Sequence, residues 1–364
     1  MRIGIDLRLI HYTRTGFSRY GLGIVDSFLQ SIGEETLILL IHPEYSLTGS
    51  RYQTFESFAI STPIFSPDEG KKLEREIADL DLDVLHLPFS LFPVVNSVPS
   101  IVTIHDLTCK HYPHTMENNY RNFYLKSLAR IGEAKLILTV SEAIRQELLA
   151  LGVARQKVQT CYPFTAMEQC GFGTGTDAES DSMNVADHPP FLLSVGSIEP
   201  RKNYSFSLDV FEALCWKNES SINWIIVANH GWQQESFLKR VENSPFASRI
   251  SIEHNASDRR LSELYRLCSC FFHTSIYEGF GLPVLEAIAH ACPVLSTPVP
   301  SLTEMGFPES RLIISRSPDR VAQQINQMLW LEPPHTIDHT KITHRYKALP
   351  KDRFRSVYRM AIND

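Results

Sequence analysis

The feature that most constrains this chain is a rhythm of short, continuously apolar, β-branched runs separated by amphipathic stretches, and it occurs twice. In the first half the runs are Arg2–Leu7, Thr36–Ile41, Val84–Leu87, Ser100–Thr103 and Leu136–Thr139. After Pro189-Pro190 it restarts with Phe191–Val195, Trp224–Val227, Ile250–Ile252, Cys270–His273 and Pro293–Ser296. Strands that are apolar along their whole length, rather than alternating, belong to parallel sheets covered on both faces by helices. Two such series predict an α/β protein of two doubly wound, Rossmann-like domains. A length of 364 residues suits two domains, each large enough to bury a core.

The expected division is residues 1–164 for the first domain, 165–190 for a linker, 191–350 for the second domain and 351–364 for a terminal helix. Gly171, Gly173 and Gly175 mark the linker, followed by Asp177, Glu179, Asp181 and Asp187 with no Lys or Arg. Its Gly171-Phe-Gly-Thr-Gly175 neither follows a strand nor opens a helix, so it does not read as a phosphate loop. Phe354, Val357, Tyr358 and Ala361 stand at helical spacing near the C-terminus and predict a packed helix.

Charge and cysteine usage narrow the function classes. With 35 Lys+Arg against 41 Asp+Glu, nothing supplies the broad positive field a nucleic-acid binder needs. The seven cysteines are scattered and odd in number, as expected of reduced thiols in a cytoplasmic protein. Cys268-Ser-Cys270 has poor spacing for a zinc knuckle or a redox disulfide and reads as structural. Met1-Arg2-Ile3-Gly4-Ile5-Asp6 looks like a strand and not a signal peptide. No apolar run near the start approaches the ~20 residues that span a bilayer. Between residues 107 and 157, eight basic residues face four acidic ones. That excess would suit peripheral contact with an anionic membrane on the inner face of the plasma membrane, the plain alternative being a solvated helical face.

The densest chemistry lies between Phe272 and Glu304. Glu278-Gly-Phe-Gly-Leu-Pro-Val-Leu-Glu286 follows a strand and opens a helix. Gly279 and Gly281 allow close backbone approach, Pro283 suits a first helical turn, and the turn's N–H groups suit an anion. Glu286, within the helix, is placed to accept from two ribose hydroxyls, and Glu278 from sugar hydroxyls. A second cluster, Gly196-Ser-Ile-Glu-Pro-Arg201-Lys202-Asn203, follows the strand Phe191–Val195. Cations where a helix begins oppose its dipole, and a diphosphate ligand would answer that. In the first domain, Gly16 lies in a loop expected to face the ligand. His105 and Asp106 end a strand, where open α/β sheets bind ligands. His105 reads as a hydrogen-bond donor to sugar or phosphate. Ser141 and Glu142 repeat that placement, with a helix N-cap and first-turn electrostatics as their plain alternatives.

Together these motifs resemble the retaining GT-B glycosyltransferases of family 4 (group 1), over nearly the whole chain and in order. The opening Ile-Gly-Ile-Asp-x-Arg and Thr-Gly-x-x-Arg-Tyr look most like bacterial polysaccharide mannosyltransferases. The resemblance implies a GT-B fold, two domains facing each other across a cleft, and transfer of a hexose from a nucleotide-diphosphate sugar with retention. Carried over by position, Arg201 and Lys202 would bind the diphosphate, Glu286 the ribose and Glu278 the donor sugar. His105 would meet the sugar or transfer region, and the amides of Phe280, Gly281 and Leu282 phosphate or sugar. Gly16 and Gly196 would line the donor site, and Asp106, Ser141 and Glu142 the acceptor side. His105, Glu278, Arg201 and Lys202 are the catalytic candidates. GDP-mannose is the favoured donor, with UDP- or dTDP-sugars as alternatives, and a saccharide or lipid-linked saccharide the acceptor.

The resemblance implies no metal or other cofactor, and Asp81-Leu-Asp83 precedes a strand and reads as surface. Three places depart from the family pattern. Ala291 stands where glycine is frequent, Ala228-Asn229 replaces a glycine-rich strand end, and His254–Asp258 lacks its usual glycine. These leave the choice of base open. Two rivals remain. A nicotinamide oxidoreductase is disfavoured by the absence of G-x-G-x-x-G after the first strand. A non-catalytic nucleotide-sugar-binding module would keep the same residues without turnover.

Overall fold

The computed structural model describes residues 1–12, 16–29, 34–66, 68–90, 92–93, 95–116, 118–163, 189–217, 222–228, 231, 233–331 and 353–363. The chain divides into two compact units, Met1–Ala166 with Leu349–Asp364, and Met167–Ala348. The linker expected over 165–190 falls almost wholly outside the described residues.

Among the described residues the first unit holds a seven-stranded sheet. Its strands are β1 (Arg2–Asp6), β2 (Thr36–Ile41), β3 (Glu56–Ala59), β4 (Val84–Leu87), β5 (Ser100–Ile104), β6 (Leu136–Thr139) and β7 (Val158–Thr160). They run in the order β3-β2-β1-β4-β5-β6-β7, and every neighbouring pair is parallel. The second unit's sheet comprises β8 (Phe191–Val195), β9 (Asn223–Val227), β10 (Ile250–Glu253), β11 (Cys270–His273) and β12 (Val294–Ser296). It is ordered β10-β9-β8-β11-β12, again all parallel. Each order reverses once, between β1 and β4 and between β8 and β11. Ligands of open α/β sheets bind at such switch points, beyond the carboxyl ends of the strands.

The predicted strands are present to within a residue or so at each end. Two others carry no apolar signal. All four residues of β3 are exposed at the sheet edge, and β7 has only three residues. Central strands are buried on both faces: β4 and β5 expose no residue. In the second unit, Trp224 on β9 is fully buried among Phe211, Tyr204 and Phe237. Its indole N–H donates to Ser194 Oγ at 3.1 Å, which satisfies the polar tip of an otherwise apolar side chain.

The terminal helix is Arg353–Asn363, and it belongs to the first unit although the chain has meanwhile built the second. Phe354, Val357, Tyr358 and Ala361 are all buried, so the helical spacing marks its packed face. The Tyr358 hydroxyl lies 2.5 Å from His86 Nδ1, and His86 Nε2 lies 2.8 Å from Thr103 Oγ1. Burial pushes the His86 imidazole down to about 3, so a neutral ring links the helix to β4 and β5. The six described cysteines are buried thiols that form no disulfide with one another, Cys268 and Cys270 among them. Among the described residues no helix is long and apolar enough to cross a membrane.

Candidate active site

The second unit assembles a charged cluster from the loops that leave β8 and β11, the strands flanking its switch point. After β8 the chain turns at Gly196 and forms the short helix Pro200–Lys202, ended by Asn203 in the left-handed region at φ 57°. Gly196 has φ 142°, a backbone conformation that favours glycine, and a β-carbon there would sit 3.1 Å from Lys202 Cε and press on that stem. The Lys202 ammonium reaches Glu278 Oε1 at 2.5 Å, and Arg201 Nη1 lies 3.0 Å from Glu278 Oε2. Arg201 also pairs with Glu199 and donates to the Tyr277 carbonyl at 2.8 Å. Burial alone would raise the Glu278 carboxyl, but Lys202 and Arg201 outweigh it and hold it well below the usual range. The carboxylate is therefore ionised, although its side chain is only 10% exposed.

Beside this cluster stands the helix Leu282–Ala289, with Pro283 in its first turn. Gly281 caps it at φ 95°, where a β-carbon would lie 3.1 Å from Val299 Cγ2 and 3.2 Å from Ser301 Oγ. The loop thus presses against the 299–301 segment while presenting a helix start, whose first N–H groups have no intrahelical acceptor. Glu286 is buried one turn in, and its Oε2 accepts from the Tyr265 hydroxyl at 2.9 Å. Tyr265 stacks on His290, whose Nε2 lies 2.8 Å from Ser262 Oγ. Arg201, Lys202 and Glu278, from the two sequence motifs, are in direct contact. The fold places Phe280, Gly281, Leu282 and Glu286 at the start of the adjoining helix.

Two of the places lacking a family glycine have left-handed backbone, and Asn229 lies outside the described residues. Ala291 has φ 57° and Asn255 φ 54°. Asparagine tolerates this region, whereas alanine pays on the order of 1 kcal/mol for it.

In the first unit, His105 follows β5. Its backbone N–H donates to Ser90 Oγ at 2.8 Å, and its Nε2 lies 2.8 Å from the Pro88 carbonyl. A carbonyl can only accept, so Nε2 carries the proton and the neutral ring presents Nδ1 as an acceptor. Packing against the edges of Phe17 and Tyr20 buries the ring, and burial pushes it down to about 4. The sequence suggested a donor; this tautomer offers an acceptor instead. Gly16 also differs from expectation: it opens the helix Gly16–Leu29 and is not a loop residue. Asp106 Oδ1 accepts the Thr108 N–H at 2.9 Å. Ser141 is a buried N-cap whose Oγ accepts the Ile144 N–H at 3.2 Å, and Glu142 binds Arg145 at 2.8 Å and the Thr160 hydroxyl at 2.8 Å. All three acidic or hydroxyl groups are engaged in holding the local fold.

Sequence reasoning missed Glu199, Tyr265 and His273. His273 carried a usable signal, since it ends a strand beside the switch point just as His105 ends β5. Tyr265 carried none, because its link to Glu286 exists only after the helices pack. Among the described residues, one trio of potential metal ligands comes together, His11, His42 and Glu44. The two imidazoles stack at 4.0 Å and 9°, so their ring lone pairs run parallel and do not converge on one point.

The fold is thus two doubly wound parallel sheets, with an Arg-Lys pair and two glutamates beside the second switch point. Comparison with known proteins agrees. The model described as "Glycosyl transferases group 1" matches residues 176–341, and "Glycosyltransferase Family 4" matches residues 42–169. The chain belongs to this family of retaining GT-B glycosyltransferases. It is 25% identical over 358 residues to the serotype-specific mannosyltransferase WbdA of Escherichia coli, covering 90% of this chain and 41% of that protein. It is 26% identical over 207 residues to the O-antigen chain mannosyltransferase RfbU of Salmonella typhimurium, covering 56% and 53%. The chain thus spans about two fifths of WbdA. In fold it is similar to WaaG, a glycosyltransferase involved in lipopolysaccharide biosynthesis, with TM-score 0.69, 13% identity and 100% of both chains covered. Anabaena HepE, solved with UDP-glucose, gives TM-score 0.69 at 12% identity, covering 100% of this chain and 99% of its own.

Proposed function

We propose that this chain transfers a hexose, mannose from GDP-mannose in the first instance, to a saccharide or lipid-linked saccharide acceptor in surface polysaccharide synthesis, with retention of configuration. The observation that carries it is the Arg201–Glu278–Lys202 cluster beside a glycine-capped helix that contains Glu286. Two mannosyltransferases among its relatives support the sugar. The acceptor oxygen forms a bond to the anomeric carbon on the face that the diphosphate leaves, and the acceptor proton passes to a diphosphate oxygen. Arg201 and Lys202 meet the charge that develops on the leaving group, the contribution that weighs most when this bond breaks. Glu278 accepts from sugar hydroxyls, Glu286 from the ribose, and His105 Nδ1 from a hydroxyl. No metal is assigned to these steps.

A panel of GDP-, UDP- and dTDP-sugars in a thermal-shift assay without metal tests the donor. GDP-mannose is expected to raise Tm most, and a larger shift with a UDP- or dTDP-sugar would replace mannose transfer by that reading. Stabilisation with no product from any acceptor would favour a binding module. We also propose that residues 107–157 rest on anionic lipid. Three of the eight cations there are already held internally: Arg130 by Glu133, Arg145 by Glu142, and Lys157 by the Gly132 and Ala134 carbonyls. Contact would therefore fall to Lys110, Arg121, Lys126, Lys135 and Arg155. Flotation with anionic liposomes at low salt tests it, and absence of binding removes it.

A further inference from the structure

This inference rests on the donor-site reading above. His273 closes β11 with its side chain 4% exposed and its ring nearly parallel to Phe271, at 14°. Its Nε2 is buried without a hydrogen-bond partner. The nearest carboxylate oxygen, Glu278 Oε1, is 3.6 Å away, too far for a bond. That same oxygen is taken by Lys202 at 2.5 Å, while Arg201 holds the other. Both cations thus hold Glu278, and a buried ring nitrogen of His273 stands 3.6 Å from the carboxylate oxygen that Lys202 occupies.

A diphosphate concentrates more negative charge than one carboxylate and competes for the same cations. Once Lys202 turns to it, Oε1 loses its principal partner inside a site where an unpaired charge is costly. A movement of roughly 0.7 Å would bring His273 Nε2–H into ordinary hydrogen-bond range of that oxygen. We propose that His273 is a positioning residue that takes over Glu278 from Lys202 when the diphosphate binds, fixing the carboxylate against the sugar hydroxyls. Burial pushes the His273 imidazole down to about 3, so it acts as a neutral donor and keeps its proton. It touches neither sugar nor phosphate in this role.

The test uses the full chain with ¹⁵N-labelled histidine, titrated with GDP, UDP and inorganic pyrophosphate. The His273 Nε2–H resonance is expected to move downfield, towards a hydrogen-bonded position, with any diphosphate that binds. In parallel, His273→Phe keeps the ring against Phe271 and removes the N–H, and His273→Gln restores an N–H at similar reach. With the nucleotide sugar selected by the thermal-shift panel, His273→Phe is expected to lower kcat by about tenfold to a hundredfold while KM stays nearly level. Its Kd for the free nucleoside diphosphate should not change, and His273→Gln should recover most of the loss. A diphosphate that binds without moving the resonance overturns the proposal and leaves the donor site standing. So does a phenylalanine variant with wild-type kcat, or a glutamine variant no better than it. If neither nucleoside diphosphates nor pyrophosphate bind, the donor-site reading itself fails and takes this proposal with it.

Discussion

Each unit carries a buried ionic cluster, and the two are built on different charge counts. In the first unit the Arg8 guanidinium is shared by Asp6, at 2.9 and 2.7 Å, and Glu69, at 2.7 Å, and also donates to the Thr62 carbonyl at 2.8 Å. One cation thus serves two carboxylates, and its side chain is 1% exposed. In the second unit two cations, Arg201 and Lys202, serve two carboxylates, Glu199 and Glu278, and Arg201 is 13% exposed. The consequence shows in the acids. Burial pushes Glu69 up to about 7, and Asp6 adds to it, because Arg8 cannot neutralise both. Glu278 goes the other way, since two cations outweigh its burial. The first cluster ties β1 to Thr62 and to the helix Glu69–Glu76. Both clusters lie where the strand order of their sheet reverses, the first with side chains 1–4% exposed and the second with side chains 9–13% exposed.

If that contrast is right, breaking the first cluster costs stability and breaking the second costs chemistry. The largest effect should come from Arg8→Met, which strands two buried carboxylates. A loss of about 3–5 kcal/mol is expected, read as a lowered urea midpoint of the first unit. A cost below ~1 kcal/mol would mean the cluster is not the tie it looks like. Lys202→Ala should lower the rate of donor turnover by about 10²–10³-fold, in the range for removing one group that stabilises a leaving anion. Initial rates at saturating donor would show it, and an unchanged rate would separate the second cluster from catalysis.

The acids predict opposite pH responses. Glu69 has a folded value above its ordinary 4.5, so its contribution is complete below that pH and is lost as pH rises through about 7. Glu69 alone contributes on the order of 3 kcal/mol across that window, opposed in the same unit by the buried neutral His86 and His105, which weaken it as pH falls below 6.5. Glu278 is depressed, so its own contribution is level over the same window and is lost only as pH falls below the ordinary range, while the buried neutral His273 weakens the second unit as pH falls below its ordinary 6.5. All four tryptophans fall between residues 167 and 348 of the sequence, and the described Trp216 and Trp224 belong to the second unit, so tryptophan emission is the probe for that unit. Hydrogen exchange on β1 and β2 would follow the first. Subtracting the curves of Glu69→Gln and Glu278→Gln isolates each acid, and parallel differences would erase the contrast. The smallest effect concerns Ser141→Ala, which should remove about 1 kcal/mol of stability through the lost N-cap while leaving turnover at its wild-type rate. A fall in turnover beyond that explained by unfolding would return Ser141 to the site.

Much of the architecture was legible because it is local. A run such as Val84–Leu87 or Phe191–Val195 announces a central strand by being apolar throughout, and the Ser141 hydroxyl announces a helix start three residues before the N–H it accepts. The candidate site was legible in outline for a similar reason: each half of it is one contiguous motif following a strand. The edge strand Glu56–Ala59 was not, since exposed residues leave no periodicity to read. Neither was the role of Gly16, because a glycine before an amphipathic stretch suits a loop or a helix start equally well.

What the sequence determined by itself, then, is the repeated parallel α/β pattern, the packed face of the terminal helix and the two motifs that hold the charged groups. Tertiary structure alone decided which charges meet. Arg8 finds Glu69 61 residues away, Lys202 finds Glu278 76 residues away, and His86 finds Tyr358 272 residues away. Propensity and periodicity act over a few residues, whereas these pairings follow from strand order and from the cost of burying a charge or a donor unpaired. That is why Lys202 could be assigned to a phosphate from sequence, while its hold on Glu278, and the histidine waiting behind it, appear only in the folded chain.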